Sequence, residues 1–136
     1  MRTMKFIILH CSDSENPLHD NRETIKAWHL ARGFNDIGYN YFIHGNGSIE
    51  VGRPLILIPS HVEGHNKDSM GICLHGRTQF SRTQMVSCAR LCLNYLDIFN
   101  LPLEVIVPHS LLDKEGKTCP NFDVKVIKDL ILELRK

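Results

Sequence analysis

The segment HSLLDKEGKTC, residues 109 to 119, begins with a histidine and ends with a cysteine, and a second histidine, His10, ends an apolar run near the start of the chain. Imidazole nitrogen and thiolate sulfur are donors that zinc prefers, and a catalytic zinc takes three protein ligands and leaves a fourth position for water. Two ligands close in sequence and one distant ligand can supply such a site. The spacing therefore indicates His10, His109 and Cys119 as candidate ligands of a hydrolytic zinc.

The other cysteines favour packing over metal binding. Cys88 and Cys92 lie four residues apart on the apolar stripe of a predicted helix, where both act as small hydrophobic residues. Cys73 falls inside a predicted strand and belongs to the core. Cys11 directly follows His10, so in an extended chain it points to the opposite face of the strand.

Two further metal hypotheses use the same kinds of donor. His61 and His65 are four residues apart in a glycine-containing loop, and could be a metal pair or exposed polar residues. A blue-copper site would add a weak methionine ligand to two histidines and a cysteine. No methionine follows Cys119 in the sequence.

The elements that must position these residues follow from the apolar patterns and the turn signals. Apolar and β-branched runs predict five strands, at residues 5–10, 39–44, 48–51, 70–75 and 104–107. The turn Gly45-Asn46-Gly47 predicts that the second and third strands form an antiparallel hairpin. Helical spacing and capping signals predict three helices, at residues 20–32, 81–99 and 124–134.

The capping signals behind those three helices are specific. Asp20 followed by Glu23 resembles a capping box, and Ser81 followed by Gln84 is a second one. Asn121 or Asp123 is expected to cap the last helix. The order β-α-β-β-β-α-β-α predicts an α/β fold in a single domain over residues 1–136, with a central mixed β-sheet flanked by about three helices.

The composition excludes several classes of function. The chain has 136 residues, with 16 Lys and Arg against 15 Asp and Glu, and the scattered basic residues argue against nucleic acid as a partner. The apolar run Phe6 to Leu9 is shorter than the roughly 7–15 residues of a secretory signal and far shorter than a membrane span. We expect a monomer that accumulates in the cytoplasm without a signal peptide and has no membrane partner. Five cysteines in such a chain are thiols or ligands.

Four segments in the same order resemble one known family. They are FIILHCS at residues 6–12, IKAWHLARGFNDIGYNYFIHGNGSIEVGR at 25–53, SHVEGHNKDSMGICL at 60–74 and PHSLLDKEGKTCPNFD at 108–123. Together they resemble the zinc-dependent N-acetylmuramoyl-L-alanine amidases of the bacteriophage lysozyme type, relatives of the peptidoglycan recognition proteins. The resemblance covers nearly the whole chain. It implies one zinc per chain and peptidoglycan, both glycan strand and stem peptide, as the substrate.

The resemblance also implies roles for individual residues. The family's zinc ligands fall on His10, His109 and Cys119, and its catalytic tyrosine and lysine fall on Tyr39 and Lys117. Bound zinc would make hydroxide available at neutral pH. Lys117 would then place an ammonium near the developing oxyanion, and Tyr39 would position the water and the carbonyl.

Substrate contacts are implied for a separate group of residues. His61 and Asn66 are expected in one wall of the groove, and Arg53 is a candidate partner for a peptide carboxylate or a surface charge. Trp28 and His29 are interpreted as helix packing. The chain departs from the family at two places: Asn40 stands where the family often has a histidine, and the loop between the second histidine and the cysteine is slightly longer.

The implied activity is hydrolysis of the amide bond between N-acetylmuramic acid and L-alanine, as in a phage or prophage endolysin, or in a secreted effector, that reaches the cell wall after release or delivery. One alternative is a cytoplasmic amidase that recycles soluble muropeptides, although that group usually has an aspartate where this chain has Cys119. Another is a non-catalytic peptidoglycan-binding module, which typically lacks the cysteine. A side role in binding a phage RNA polymerase is a third possibility, which no residue here tests.

Overall fold

Strands and helices alternate along the chain largely as the patterns predict. The computed structural model describes residues 2–112 and 118–136. The strands are β1 (Phe6–Cys11), β2 (Tyr41–Ile43), β3 (Ile49–Val51), β4 (Ser69–Leu74) and β5 (Ile106–Pro108). The helices are α1 (Arg22–Ala31), α2 (Arg82–Phe99), α3 (His109–Leu112) and α4 (Lys125–Leu134), with short 3-10 turns at Pro17–His19 and Leu103–Val105. The predicted α/β class is confirmed, and the four-residue α3 is an addition to it.

The five strands form one sheet in the order β3-β2-β4-β1-β5. β1 lies between β4 and β5 and is parallel to both, and β2 is parallel to β4. β3 runs antiparallel to β2, so the predicted hairpin and the mixed sheet are both confirmed. Because four strands share one direction, their carboxyl ends meet at the same edge of the sheet.

The register of the sheet brings the two candidate histidines together at that edge. Leu9 in β1 pairs with Pro108 in β5. In both strands the next residue is a histidine: His10 follows Leu9, and His109 follows Pro108. Neighbouring strands lie about 4.8 Å apart, so the pairing alone makes the two imidazoles neighbours.

Helices cover both faces of the sheet. One face packs against α2 and α4 in a cluster that includes Leu9, Cys88 and Cys92. Both cysteines are fully buried, which confirms their predicted packing role. On the other face, Ile25 of α1 packs in a cluster with Cys73, which is also buried as predicted. Within the described ranges, no helix combines the length and the apolar character needed to cross a membrane.

The start of α1 differs from the prediction because the predicted cap, Asp20, binds elsewhere. Asn21, and not Asp20, caps α1, since its side chain accepts the Thr24 N–H. The Asp20 carboxylate instead accepts the Gly45 N–H at 3.0 Å and contacts His44, tying the start of α1 to the hairpin turn. By contrast, α2 begins with the predicted capping box, in which Ser81 and Gln84 make both reciprocal hydrogen bonds.

The C-terminal third also differs slightly from the prediction. Residues Leu103–Val105 form a 3-10 turn, in which the Val105 N–H donates to the Pro102 carbonyl, so β5 begins only at Ile106. The last helix begins at Lys125, and its N-cap, Val124, makes no side-chain capping bond. Asp123 nevertheless accepts the Lys125 N–H, close to the predicted capping position.

Candidate metal centre

Three donor side chains converge at the carboxyl edge of the sheet. His10 ends β1, His109 is the first residue after β5, and Cys119 lies in the loop that leads to α4. Their ligand atoms all lie within 4.8 Å of one another, and the two imidazole centroids are 4.5 Å apart. Around a tetrahedral zinc, ligand atoms lie roughly 3.3–3.6 Å apart, as follows from bond lengths of about 2.0–2.3 Å. A small adjustment of these side chains would meet that geometry.

The chemistry of this donor set fits a catalytic zinc. Two imidazoles and one thiol are donors that zinc binds, and the group has three members among the residues the structure describes. A tetrahedral ion held by three such donors keeps one position for a small ligand. The Cys11 N–H donates to the Cys119 sulfur at 3.1 Å. The neighbouring Cys11 thiol, and then burial, nevertheless raise the pKa of the Cys119 thiol above its ordinary value, so the thiolate would form as an ion binds. Cys11 is buried as predicted, but its contact with Cys119 was not predicted.

His61 lies directly behind His10. Its Nδ1 is 2.7 Å from His10 Nε2, and its Nε2 is 2.7 Å from the Ser69 hydroxyl. Burial, followed by the nearby His109, lowers the pKa of His61 to about 3, so its ring is neutral. The His65 ring instead lies against Phe6, with Nδ1 3.8 Å from Asp68. The two loop histidines therefore have different partners and are not arranged as a metal pair.

Tyr39 lies next to the candidate ligands. Its ring centroid is 4.8 Å from that of His10 and 5.2 Å from that of His29. Burial, and then the neighbouring thiols, raise the pKa of its hydroxyl well above the ordinary value of 10. At neutral pH the hydroxyl therefore keeps its proton and can donate a hydrogen bond.

A cavity of about 610 Å³ opens beside the donor set, within the size range of small-molecule sites. Its lining includes Tyr39, His109 and Cys119 together with Asp13, Trp28, His29, Arg32 and Asn121. The interpretation of Trp28 as packing is wrong, because the indole is 38% exposed and lines this cavity. Trp28 in α1 and Arg32, the residue that caps the end of that helix, are four residues apart, a spacing that puts two side chains on one helix face and was the available sequence signal for a groove wall.

His29 is buried, as predicted, and also lines the cavity. Its Nδ1 accepts the Gly38 N–H at 2.7 Å, so the ring supports the residue that directly precedes Tyr39. Burial, and then the charges of Arg32 and Arg53, lower the pKa of His29 to about 4. The imidazole is therefore neutral in the folded protein at physiological pH.

Acid is expected to destabilise the fold through His29. Between about pH 6.5 and 4, the unfolded chain protonates this histidine while the folded chain does not, so the free energy of unfolding falls as the pH falls through that window. His29→Asn keeps an acceptor for Gly38 but does not titrate. Urea unfolding of the zinc-free protein at several pH values should show a shallower decline for this variant; equal declines would contradict the assignment.

None of the three predicted substrate-binding residues is among the described residues that line the cavity, and each makes contacts within the protein. The Asn66 side-chain oxygen accepts the N–H groups of His61 and Val62. Arg53 donates to backbone carbonyls, including that of Ile37 at 3.0 Å. These contacts stabilise the loops around the groove, and substrate binding by His61, Asn66 and Arg53 stays a prediction. Lys117 lies outside the described residues.

The departure at Asn40 has a structural explanation. Its side chain is fully buried, with Oδ1 accepting the Gly71 N–H at 3.1 Å and Nδ2 donating to the Arg53 carbonyl at 3.1 Å. Asn40 thus joins the start of β2 to β4 and to the residue that follows the hairpin. These hydrogen bonds stabilise the sheet edge next to Tyr39.

Comparisons with known proteins agree with this arrangement. The family model described as N-acetylmuramoyl-L-alanine amidase matches residues 1–122. The endolysin of Enterobacteria phage T3 is 31% identical over 131 residues, covering 90% of this chain and 84% of that protein. The endolysin of Klebsiella phage KP32 is 31% identical over 123 residues, covering 88% and 82%. The solved structure of the amidase LysC from Clostridium intestinale is similar with a TM-score of 0.85 and 26% identity, covering 98% of this chain and 87% of that one.

Proposed function

The chain belongs to the N-acetylmuramoyl-L-alanine amidase family, and from that membership we propose that it is a zinc-dependent hydrolase of bacterial peptidoglycan. The bond cleaved is the amide between the lactyl group of N-acetylmuramic acid and the L-alanine of the stem peptide. One observation carries the proposal: the donor atoms of His10, His109 and Cys119 lie within 4.8 Å of one another beside an open cavity.

His10, His109 and Cys119 would hold one zinc ion. When bound, zinc lowers the pKa of a water molecule to about 7 and polarises an amide carbonyl. The chain itself prepares the ligands for this role. The backbone N–H of Cys11 donates to the Cys119 sulfur, and His61 Nδ1 lies 2.7 Å from the ring nitrogen Nε2 of His10.

Two further side chains would act on the scissile amide. The Tyr39 hydroxyl keeps its proton and would donate a hydrogen bond to the carbonyl or hold the attacking water. Lys117 would stabilise the developing oxyanion with its ammonium group, a proposal that rests on its position two residues before Cys119. Stabilisation of this kind is typically worth about 3–4 kcal/mol.

The groove suits a substrate that combines a sugar and a peptide. The exposed indole of Trp28 offers an apolar surface on which a sugar ring can pack. The guanidinium of Arg32, one helical turn further along α1, can pair with a carboxylate of the stem peptide. Both side chains line the same cavity as Tyr39, so they would hold the substrate next to the donor set.

The cysteine supports this proposal over its alternatives. A muropeptide-recycling amidase usually carries an aspartate at the position of Cys119, and a non-catalytic binding module typically lacks the cysteine. Two relatives from phages are named endolysins, each covered over more than four fifths of its length. These names support the proposal that this chain acts on the cell wall after release or delivery.

The test is to purify the protein, measure its zinc content by elemental analysis and follow the release of L-alanine amino termini from peptidoglycan. We expect about one zinc per chain, loss of activity with a chelator and recovery when zinc is returned. Tight wall binding without product would instead indicate a binding module. Activity confined to soluble anhydro-muropeptides would indicate recycling.

A further inference from the structure

A chain of hydrogen bonds runs from His10 into the interior of the protein. His10 Nε2 lies 2.7 Å from His61 Nδ1, and His61 Nε2 lies 2.7 Å from the Ser69 hydroxyl. The Ser69 hydroxyl lies 2.6 Å from the backbone carbonyl of His65. We call His61, Ser69 and that carbonyl the His61 relay.

The end of the relay fixes the position of every proton in it. A carbonyl can only accept, so the Ser69 hydroxyl donates its one proton to the His65 carbonyl. The Ser69 oxygen must then accept from His61 Nε2–H. Because His10 Nε2 faces His61 Nδ1 at 2.7 Å, an ion held by His10 is held through Nδ1, and the proton between the two rings belongs to His10 Nε2. His10 therefore donates through Nε2–H, and the lone pair of its neutral ring is on Nδ1.

The backbone around the relay holds His61 in place. A Cβ atom at Gly71 would lie 2.7 Å from His61 Nδ1 and 3.0 Å from the adjacent ring carbons, so only a glycine in β4 lets the imidazole lie this close. The Asn66 side chain accepts the His61 N–H at 2.9 Å. Ser69 is fully buried at the first position of β4. The ring is thus fixed from both the strand side and the loop side.

We propose that the His61 relay is a positioning device for the metal ligand His10, which sets its tautomer and ring orientation so that Nδ1 binds the ion. The proposal rests on the metal centre of the proposed function and assigns His61 a role behind the ligand instead of in substrate binding. Hydrogen bonds to the second nitrogen of a metal-binding histidine orient the ring and raise its basicity. Removing such a partner typically weakens metal affinity by about 10–100-fold.

The direct test is the nitrogen NMR spectrum of the histidine rings in the zinc-loaded protein. We expect His10 to coordinate through Nδ1 and to carry its proton on Nε2, with a detectable coupling of that proton into the bond to His61. Coordination of His10 through Nε2 would overturn the proposal, because the relay would then be broken in the loaded protein.

His61→Phe keeps a ring over Gly71 but removes both nitrogens. We expect zinc affinity, measured by competition with a chelator, to fall about 10–100-fold. The absorption bands of the cobalt-substituted protein should shift, since the orientation of His10 changes. His44→Phe is the matched control, because His44 also has both ring nitrogens bound, to Asp20 and Glu50, but lies on the hairpin. Its zinc affinity and cobalt spectrum should equal those of the unsubstituted chain.

Ser69→Ala tests the relay without changing any ring, and serves if His61→Phe does not fold. It removes the acceptor that fixes the tautomer of His61, so zinc affinity should fall about tenfold. The melting temperatures of the other variants provide the reference for whether Ser69→Ala is folded. Ser87→Ala is the control, since the Ser87 hydroxyl donates to the Gly47 carbonyl of the hairpin turn and not to a group of the relay.

The outcomes separate the two proposals. Wild-type zinc affinity and cobalt spectra in folded His61→Phe and Ser69→Ala would overturn the relay and leave the amidase proposal in place. An unsubstituted chain that binds no zinc would overturn both. Weaker zinc binding in the two relay variants, with both controls unchanged, supports the positioning role.

Discussion

Replacing Cys119 with alanine is expected to abolish amidase activity and zinc binding together. The sulfur is one of three donors in the group that the described residues form, and it is the only one that brings negative charge to the ion. Two imidazoles alone bind zinc far more weakly than a three-donor site. We expect turnover on peptidoglycan to fall by more than about a thousandfold, because the activated water supplies most of the chemistry.

Metal content and thermal stability together check this prediction. Zinc bound to the folded chain raises the melting temperature through linkage, so added zinc should no longer stabilise Cys119→Ala. Cys11→Ala is the matched control: it removes the adjacent buried thiol, but the N–H that contacts Cys119 belongs to the backbone and stays. That variant should keep its zinc. Full zinc content and turnover in Cys119→Ala would refute the metal centre.

A second variant separates the loss of charge from the loss of a donor. Muropeptide-recycling amidases usually carry an aspartate at the position of Cys119, so Cys119→Asp restores a negatively charged ligand of a different type. Carboxylate oxygen binds zinc at about the same distance as nitrogen. We expect partial recovery of zinc and turnover, which elemental analysis and the L-alanine release assay would measure. An inactive, zinc-free aspartate variant would mean that the site depends on the sulfur itself.

Local patterns predicted the parts of the fold that local physics determines. The apolar run before His10 predicted a strand, and the glycine turn at residues 45–47 was the strongest hairpin signal in the sequence. The capping box at Ser81 satisfies donors within its own helix turn, so the sequence alone identifies it. The shared direction of the strands then predicted that their carboxyl ends meet at one edge of the sheet, and therefore that His10 and His109 lie close together there.

The parts that the sequence did not predict depend on contacts between distant segments. The role of His61 needs Gly71, ten residues away in a strand, to leave room for its ring. Asp20 resembled a helix cap, but the hairpin turn offered it a second set of donors, and Asn21 replaced it at the helix start. Trp28 matched the spacing of a packed residue, but its indole is 38% exposed and lines the same cavity as Cys119, a residue far away in the sequence.

Replacing Tyr39 with phenylalanine is expected to slow turnover without removing zinc. The substitution keeps the ring that packs against His10 and His29 and deletes only the hydroxyl. Loss of one donor to a developing oxyanion typically costs about 10²–10³ in turnover. Because the hydroxyl would act mainly in the transition state, kcat should fall while KM changes little.

Tyr41→Phe is the matched control for this variant. The Tyr41 hydroxyl bonds to that of Tyr95, in the cluster that packs under α2 and not in the groove. Removing that hydroxyl should leave kcat and zinc content unchanged and alter only stability. If Tyr39→Phe instead raised KM at constant kcat, the hydroxyl would act in substrate binding. The amide would then have to be activated by groups other than Tyr39, with Lys117 as the next side chain to test.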